Sequence, residues 1–130
     1  MATVYFFEKP GCGNNARQKK ILAASGHTVI ARNLLTHPWT PETLMSFFGS
    51  KPVHGWFNLA SPRIKSGEVV PEDISAEEAL NLMIHDPLLI RRPLLQVEER
   101  CEAGFDQNQI HAWIGLSGML NGPETCLRDK

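Results

Sequence analysis

Apolar positions along the chain change their spacing several times, and each change marks an element. Thr3 to Phe7 (TVYFF) is dense in β-branched and aromatic residues and stops at Lys9-Pro10-Gly11, which predicts a buried strand running into a loop. That loop delivers Cys12. Beyond it, Asn14 or Asn15 can cap a helix, and Asn15 with Gln18 supplies a capping pair for a helix ending near Gly26. His27 to Arg32 (HTVIAR) then alternates as a second strand would, completing strand, helix and strand with a parallel pair.

Thr40-Pro41-Glu42 is a helix start with Pro at the first helical position, and Leu44, Phe47 and Phe48 follow on one face. From Gly49 to Asp73 the Pro, Gly and Ser content rises and periodicity fades, so Phe57 to Val70 reads mostly as loop. Ser75-Ala76-Glu77-Glu78 is a capping box for a helix carrying Ala79, Leu80, Met83 and Ile84 that ends at Asp86-Pro87. Leu94 to Val97, a Glu98-Glu99 turn and Arg100 to Ala103 read as an antiparallel hairpin. Asp106 with Gln109 caps a last helix bearing Ile110, Trp113 and Ile114, and Gly115 to Lys130 reads as a loosely held tail.

The expected architecture is α/β: a βαβ half and a ββα half sharing one four-stranded mixed sheet, with helices on both faces and an inserted helical segment. Residues 1–115 form the single domain and 116–130 the tail. This element order is the thioredoxin-like one, although order alone leaves alternatives open.

Length and charge narrow the function. A chain of 130 residues buries one core and leaves no room for a second catalytic domain. Its formal net charge of -1 comes from interspersed signs without a Lys/Arg block, which argues against nucleic-acid binding. The start MATVYFFEKPGCG lacks the features of a secretory signal, and no apolar run reaches bilayer-spanning length, so a cytoplasmic address without membrane contact is expected. The five histidines, at 27, 37, 54, 85 and 111, have no spacing that would join two on one metal ion. Three widely separated cysteines, Cys12, Cys101 and Cys126, suit neither a disulfide scaffold nor a zinc site and should be free thiols in a reducing compartment.

Cys12 carries the candidate chemistry. Between a strand end and a helix start, unpaired backbone N–H groups and the positive end of the helix dipole favour a thiolate, with Gly11 and Gly13 lending permissive backbone. The plainer reading is a small inert residue beneath the loop. Asn15 stands where a second cysteine would make a local dithiol, so any thiol chemistry is monothiol. Turnover then needs glutathione, a glutaredoxin, or another cysteine of the chain. Cys101 reads as packing, and Cys126 is the candidate resolving thiol. Pro93 is expected to be a cis residue facing the cysteine, which would hold Arg92 where a guanidinium favours thiolate and grips an oxyanion or carboxylate. The alternative is a solvated Arg91-Arg92 pair. Gly13, Asn14, Asn15 and Arg17 complete the candidate anion-binding set. Trp39, Trp56 and Trp113 read as anchors, with Trp56-Phe57 a candidate partner surface.

The pieces KPGCGNNARQKKIL, DPLLIRRPLL and GFDQNQIHAWIG, in this order, resemble the arsenate reductase and Spx-type family over about residues 3 to 114. The resemblance implies a thioredoxin-like fold, puts Cys12 at the family's nucleophile position, and matches Arg92-Pro93 to an Asn-Arg-Pro element that contacts the oxyanion. The stretch from Gly55 to Leu95 looks most like the nitrogenase-associated proteins, a group linked by name to nitrogen fixation. Spx-type relatives dock on RNA polymerase, which makes a non-enzymatic interaction module the second expectation. Three arginines surround the cysteine in the reductases; here the other two fall near Ser61 and Phe105, with Arg63 a weak stand-in, and Glu8 replaces a family histidine. Those departures argue against arsenate reduction itself.

Overall fold

The computed structural model describes residues 1–116. Strands β1 (Thr3–Glu8), β2 (Thr28–Asn33), β3 (Leu94–Val97) and β4 (Arg100–Ala103) form one sheet in the order β2-β1-β3-β4. β1 runs parallel to β2, from Thr3 beside Thr28 to Glu8 beside Asn33, and antiparallel to β3, with Phe7 opposite Leu94. The parallel pair demands a crossover, which helix α1 (Gly13–Ala24) supplies, while β3 and β4 need only the Glu98-Glu99 turn.

Side-chain alternation on the strands splits the core into two layers. Val4, Phe6, Leu95 and Val97 face one side, where Ile21 and Leu22 of α1 and Ile110 of α5 (Gln107–Ile114) cover them. Phe7 and Leu94 face the other, against Leu44, Phe47 and Phe48 of α2 (Pro41–Phe48) and Ala79 and Met83 of α4 (Ala76–His85). Helices therefore lie on both faces.

Capping follows the residue chemistry at three helices. Oγ1 of Thr40 accepts the Thr43 N–H while Thr43 Oγ1 accepts the Thr40 N–H, closing a capping box on α2. Ser75 Oγ accepts the Glu78 N–H at 3.2 Å and Asp106 Oδ1 the Gln109 N–H at 3.2 Å, so α4 and α5 start where their sequences indicate.

Three expectations need correction. Neither asparagine caps α1: Cys12 has extended backbone and its carbonyl oxygen accepts the Ala16 N–H at 3.1 Å, so the cysteine itself is the N-cap residue. Phe57 to Val70 is mostly irregular, as expected, with a one-turn helix α3 (Pro62–Lys65) inside it and 3₁₀ turns at Val53–Trp56 and Pro71–Asp73 on either side. Single turns are too short to print a periodicity, yet Pro62 and Pro71 open two of them where a missing N–H costs nothing. Leu116, assigned to the tail, is 7 % exposed and packs in the α1–α5 core layer, so the packed chain passes the expected boundary at residue 115. Trp56 and Phe57 are also buried: Trp56 stacks on Phe48 and its Nε1–H reaches the Lys51 carbonyl oxygen, while Phe57 bridges to Ile90. They cannot form a partner surface.

Candidate functional site at the end of the first strand

β1 ends at Glu8, and the chain turns back on itself before α1. The Cys12 N–H donates to the Lys9 carbonyl oxygen at 3.1 Å, closing a tight turn in which Gly11 adopts φ 85°, a backbone region that side chains disfavour. Helical hydrogen bonding then begins at Ala16, so the amides of Gly13, Asn14 and Asn15 lie ahead of the intrahelical ladder, at the positive end of the helix dipole. Cys12 occupies that end. It is 5 % exposed and disulfide-bonded, whereas Cys101 is free. The expectation of free thiols therefore fails at Cys12, and a reductant must act before the sulfur can be a nucleophile. Cys126 lies outside the described residues.

Asn15, expected to bind an anion, spends its carboxamide inside the protein. It is fully buried; its Oδ1 accepts the Lys9 N–H at 3.3 Å and its Nδ2–H donates to Gln18 Oε1 at 2.9 Å. The side chain thus ties the turn before Cys12 to the first two turns of the helix. Arg17 is exposed and donates to Asn14 Oδ1 one turn back on α1, which directs it along the helix surface. Gly13 is exposed and Asn14 half-buried. Of the four, Gly13 and Asn14 keep a position at the open helix end, Asn15 is structural, and Arg17 faces water.

Arg92 is completely buried, and the Arg92–Pro93 peptide bond is cis. Because Phe7 stands opposite Leu94, the residues just before β3 lie at the end of the sheet where β1 gives way to the Cys12 turn. Arg91 goes elsewhere. Its N–H donates to the Trp56 carbonyl oxygen at 2.9 Å and its Nη1–H to the Gly55 carbonyl oxygen at 3.1 Å, which pins the Val53–Trp56 turn. A solvated Arg91-Arg92 pair is excluded. Arg63 is no stand-in for a missing site arginine either: it bonds Asp86 and Glu68 at 2.9 Å each, and those two carboxylates, Asp86 foremost, raise its already high pKa.

Glu8 meets a partner that sequence reading missed. Lys19 Nζ of α1 lies 2.7 Å from its carboxylate oxygen. The pair spans strand and helix, so no local spacing signals it. Elsewhere, burial and then Glu102 push the Cys101 thiol above its ordinary pKa, as suits a packing residue. Among the described residues no cluster of His, Cys, Asp and Glu could hold a metal ion, and no helix is long and apolar enough to cross a membrane.

A family model described as the ArsC family matches residues 8–113, a span that includes the cysteine turn and the cis-proline. The chain belongs to the ArsC family. An uncharacterized 15.7 kDa protein in the draG 3' region of Rhodospirillum rubrum is 55% identical over 127 residues, covering 97% of this chain and 89% of that protein. The global transcriptional regulator Spx of Streptococcus pyogenes serotype M3 is 26% identical over 114 residues, 85% of this chain and 84% of the regulator. Among solved structures, an ArsC family related protein from Bacteroides fragilis superposes with a TM-score of 0.74 at 22% identity, and an arsenate reductase from Vibrio cholerae with 0.71 at 18%. Each covers 85% of this chain and 97% of its own. At those identities the superpositions establish the shared thioredoxin-like fold of this ArsC-family chain.

Proposed function

We propose that this ArsC-family chain is a monothiol redox protein in which Cys12 is the nucleophile and glutathione or a glutaredoxin supplies the reducing equivalents. The observation that carries the reading is the position of Cys12 as the N-cap residue of α1, where a thiolate gains from the open helix end. A buried Arg92 at the same end of the sheet supports it, because a guanidinium there can hold a substrate oxyanion or a glutathione carboxylate.

Once reduced, the Cys12 thiolate attacks the glutathione sulfur of a protein–glutathione mixed disulfide. The S–S bond breaks, the protein leaves as a thiolate that takes a proton from water, and Cys12 keeps the glutathionyl group. A second glutathione thiolate then attacks that group, releasing the Cys12 thiolate and oxidised glutathione. Cys126, acting as resolving thiol, is the alternative route for the second step. Asn15 at the dithiol position forbids a local two-cysteine cycle.

The test is the alkylation rate of Cys12 in the reduced protein against pH, followed by peptide mass spectrometry, with and without glutathione. A midpoint below about 7 is the expected result for an activated thiol. A midpoint near 8.5, the ordinary free-thiol value, overturns the proposal.

A second reading rests on the similarity to proteins named Spx and on the stretch resembling nitrogenase-associated proteins: a non-enzymatic module that docks on a partner in nitrogen fixation or regulation. It expects Cys12→Ser to leave the cellular function intact, and a phenotype as strong as gene deletion would rule it out.

A further inference from the structure

His27 and His111 are both fixed in one tautomer by what they touch. His27 is 6 % exposed, its Nδ1 accepts the Ala2 N–H at 3.0 Å, and its Nε2 lies 2.8 Å from the Gly115 carbonyl oxygen. An N–H only donates and a carbonyl oxygen only accepts, so Nδ1 is bare and Nε2 carries the hydrogen. On α5, His111 Nδ1 accepts the Leu116 N–H at 2.9 Å, which leaves that nitrogen bare as well. The Gly115 carbonyl and the Leu116 N–H belong to one peptide group. Two imidazoles, one just before β2 and one on α5, therefore grip its two ends.

We propose that His27 and His111 form a proton-sensitive clasp on the Gly115–Leu116 peptide group, closed while both rings are neutral and opened by acid. A proton on His27 Nδ1 turns an acceptor into a donor aimed at the Ala2 N–H, and a proton on His111 Nδ1 does the same to the Leu116 N–H. The cation at His27 would also be held out of water. Opening frees Leu116 from the core layer it shares with Ile110 and Phe105 and loosens the chain just before β1.

The surroundings offer an imidazolium little compensation. Ahead of β1 stands the Met1 amino group, β2 contributes Arg32 at the far end of the strand, and the last turn of α1 has no charged side chain. Asp106 caps α5 at the end opposite His111. β4 sets Arg100 over the Trp113 ring and brings Glu102 to α5, where it already accepts from Gln109. Among the described residues the carboxylates of α5 and β4 are already engaged: Asp106 caps α5, and Glu102 accepts from Arg100 and Gln109.

The experiment is amide hydrogen exchange by NMR on the full chain, expressed as protection factors so that intrinsic pH dependence cancels. As the solution is acidified from neutral pH, protection at Ala2 and Leu116 should fall about tenfold or more while Phe6 and Leu95 hold. In the H27Q/H111Q double variant, whose carboxamides do not titrate, that fall should vanish. Unchanged protection, an equal fall at Phe6, or the same fall in the double variant each overturns the clasp. Should the variant not fold, ring nitrogen shifts of the native chain decide the matter: a hydrogen on either Nδ1 at neutral pH overturns it.

Discussion

The Lys19 ammonium sits 2.7 Å from the Glu8 carboxylate, joining the last residue of β1 to the second turn of α1 beside the turn that carries Cys12. Both side chains are partly shielded, at 30% and 16% exposure. An unpaired carboxylate there would oppose a thiolate four residues on. Lys19 offsets that charge.

Removing the lysine should therefore slow the cysteine. At roughly 10 Å and an effective dielectric of about 60, a bare carboxylate costs a thiolate about 0.5 kcal/mol. Lys19→Gln should lower the alkylation rate of reduced Cys12 at neutral pH roughly two- to threefold. Glu8→Gln should leave it equal or faster, and both effects should shrink in high salt. A Lys19→Gln rate that matches the native chain at low salt would show that the ion pair has no electrical reach to the sulfur.

Asn15 makes the second case. Its side chain is fully buried, and of its two hydrogen bonds the one to Gln18 is buried and the one to the Lys9 N–H part-buried. Asn15→Ala leaves Gln18 buried without that carboxamide and the Lys9 N–H without its acceptor, which costs about 1–3 kcal/mol. Urea unfolding followed by circular dichroism should show that loss, with the turn before Cys12 losing amide protection first. Loss of stability without loss of protection at Cys12 would mean that the turn is held from elsewhere.

These two residues also mark how far sequence reasoning reached. β3, β4 and α5 follow from local signals: an apolar run, a two-residue Glu98-Glu99 turn, an Asp106 cap with Gln109 behind it. Local chemistry is what a sequence displays. Asn15 has the residue type of an anion binder and the spacing of a cap, but its burial is settled by how β1, the turn and α1 pack together, which no window of residues contains. The same holds for Glu8 with Lys19 and for Arg91, whose guanidinium crosses to Gly55. The short turns of the inserted 49–73 stretch hid for a different reason: three or four residues complete no second period, and buried Asn58 reads as a loop residue although its N–H is held by the Leu89 carbonyl oxygen.

Cys101 gives a test internal to the alkylation experiment. Desolvation, followed by the nearby Glu102 charge, raises its pKa above the usual thiol value, which keeps it protonated and slow at neutral pH. In the folded, reduced chain it should remain unmodified while Cys12 reacts, and become modified when urea exposes it. Alkylation of Cys101 at a rate similar to Cys12 in the folded state would show that the strand edge opens readily.

His37 sets the pH dependence of stability. Its ring lies against Trp39 at 4.3 Å and Phe7 at 5.0 Å between centroids, and burial, then Arg32, lower its pKa below the ordinary 6.5. The unfolded chain then takes up the proton at a higher pH than the folded one. Between the two pKa values the unfolded state binds more protons, so stability rises with pH through that window. The contribution is fully present above about 6.5, the unfolded value, and is lost as pH falls through the lowered folded value. The ring is part-exposed, so the slope should be shallow. Urea midpoints measured from neutral pH downward should decline in the native chain, and His37→Gln should flatten part of that decline. An unchanged decline in the variant would place the responsible proton on another group.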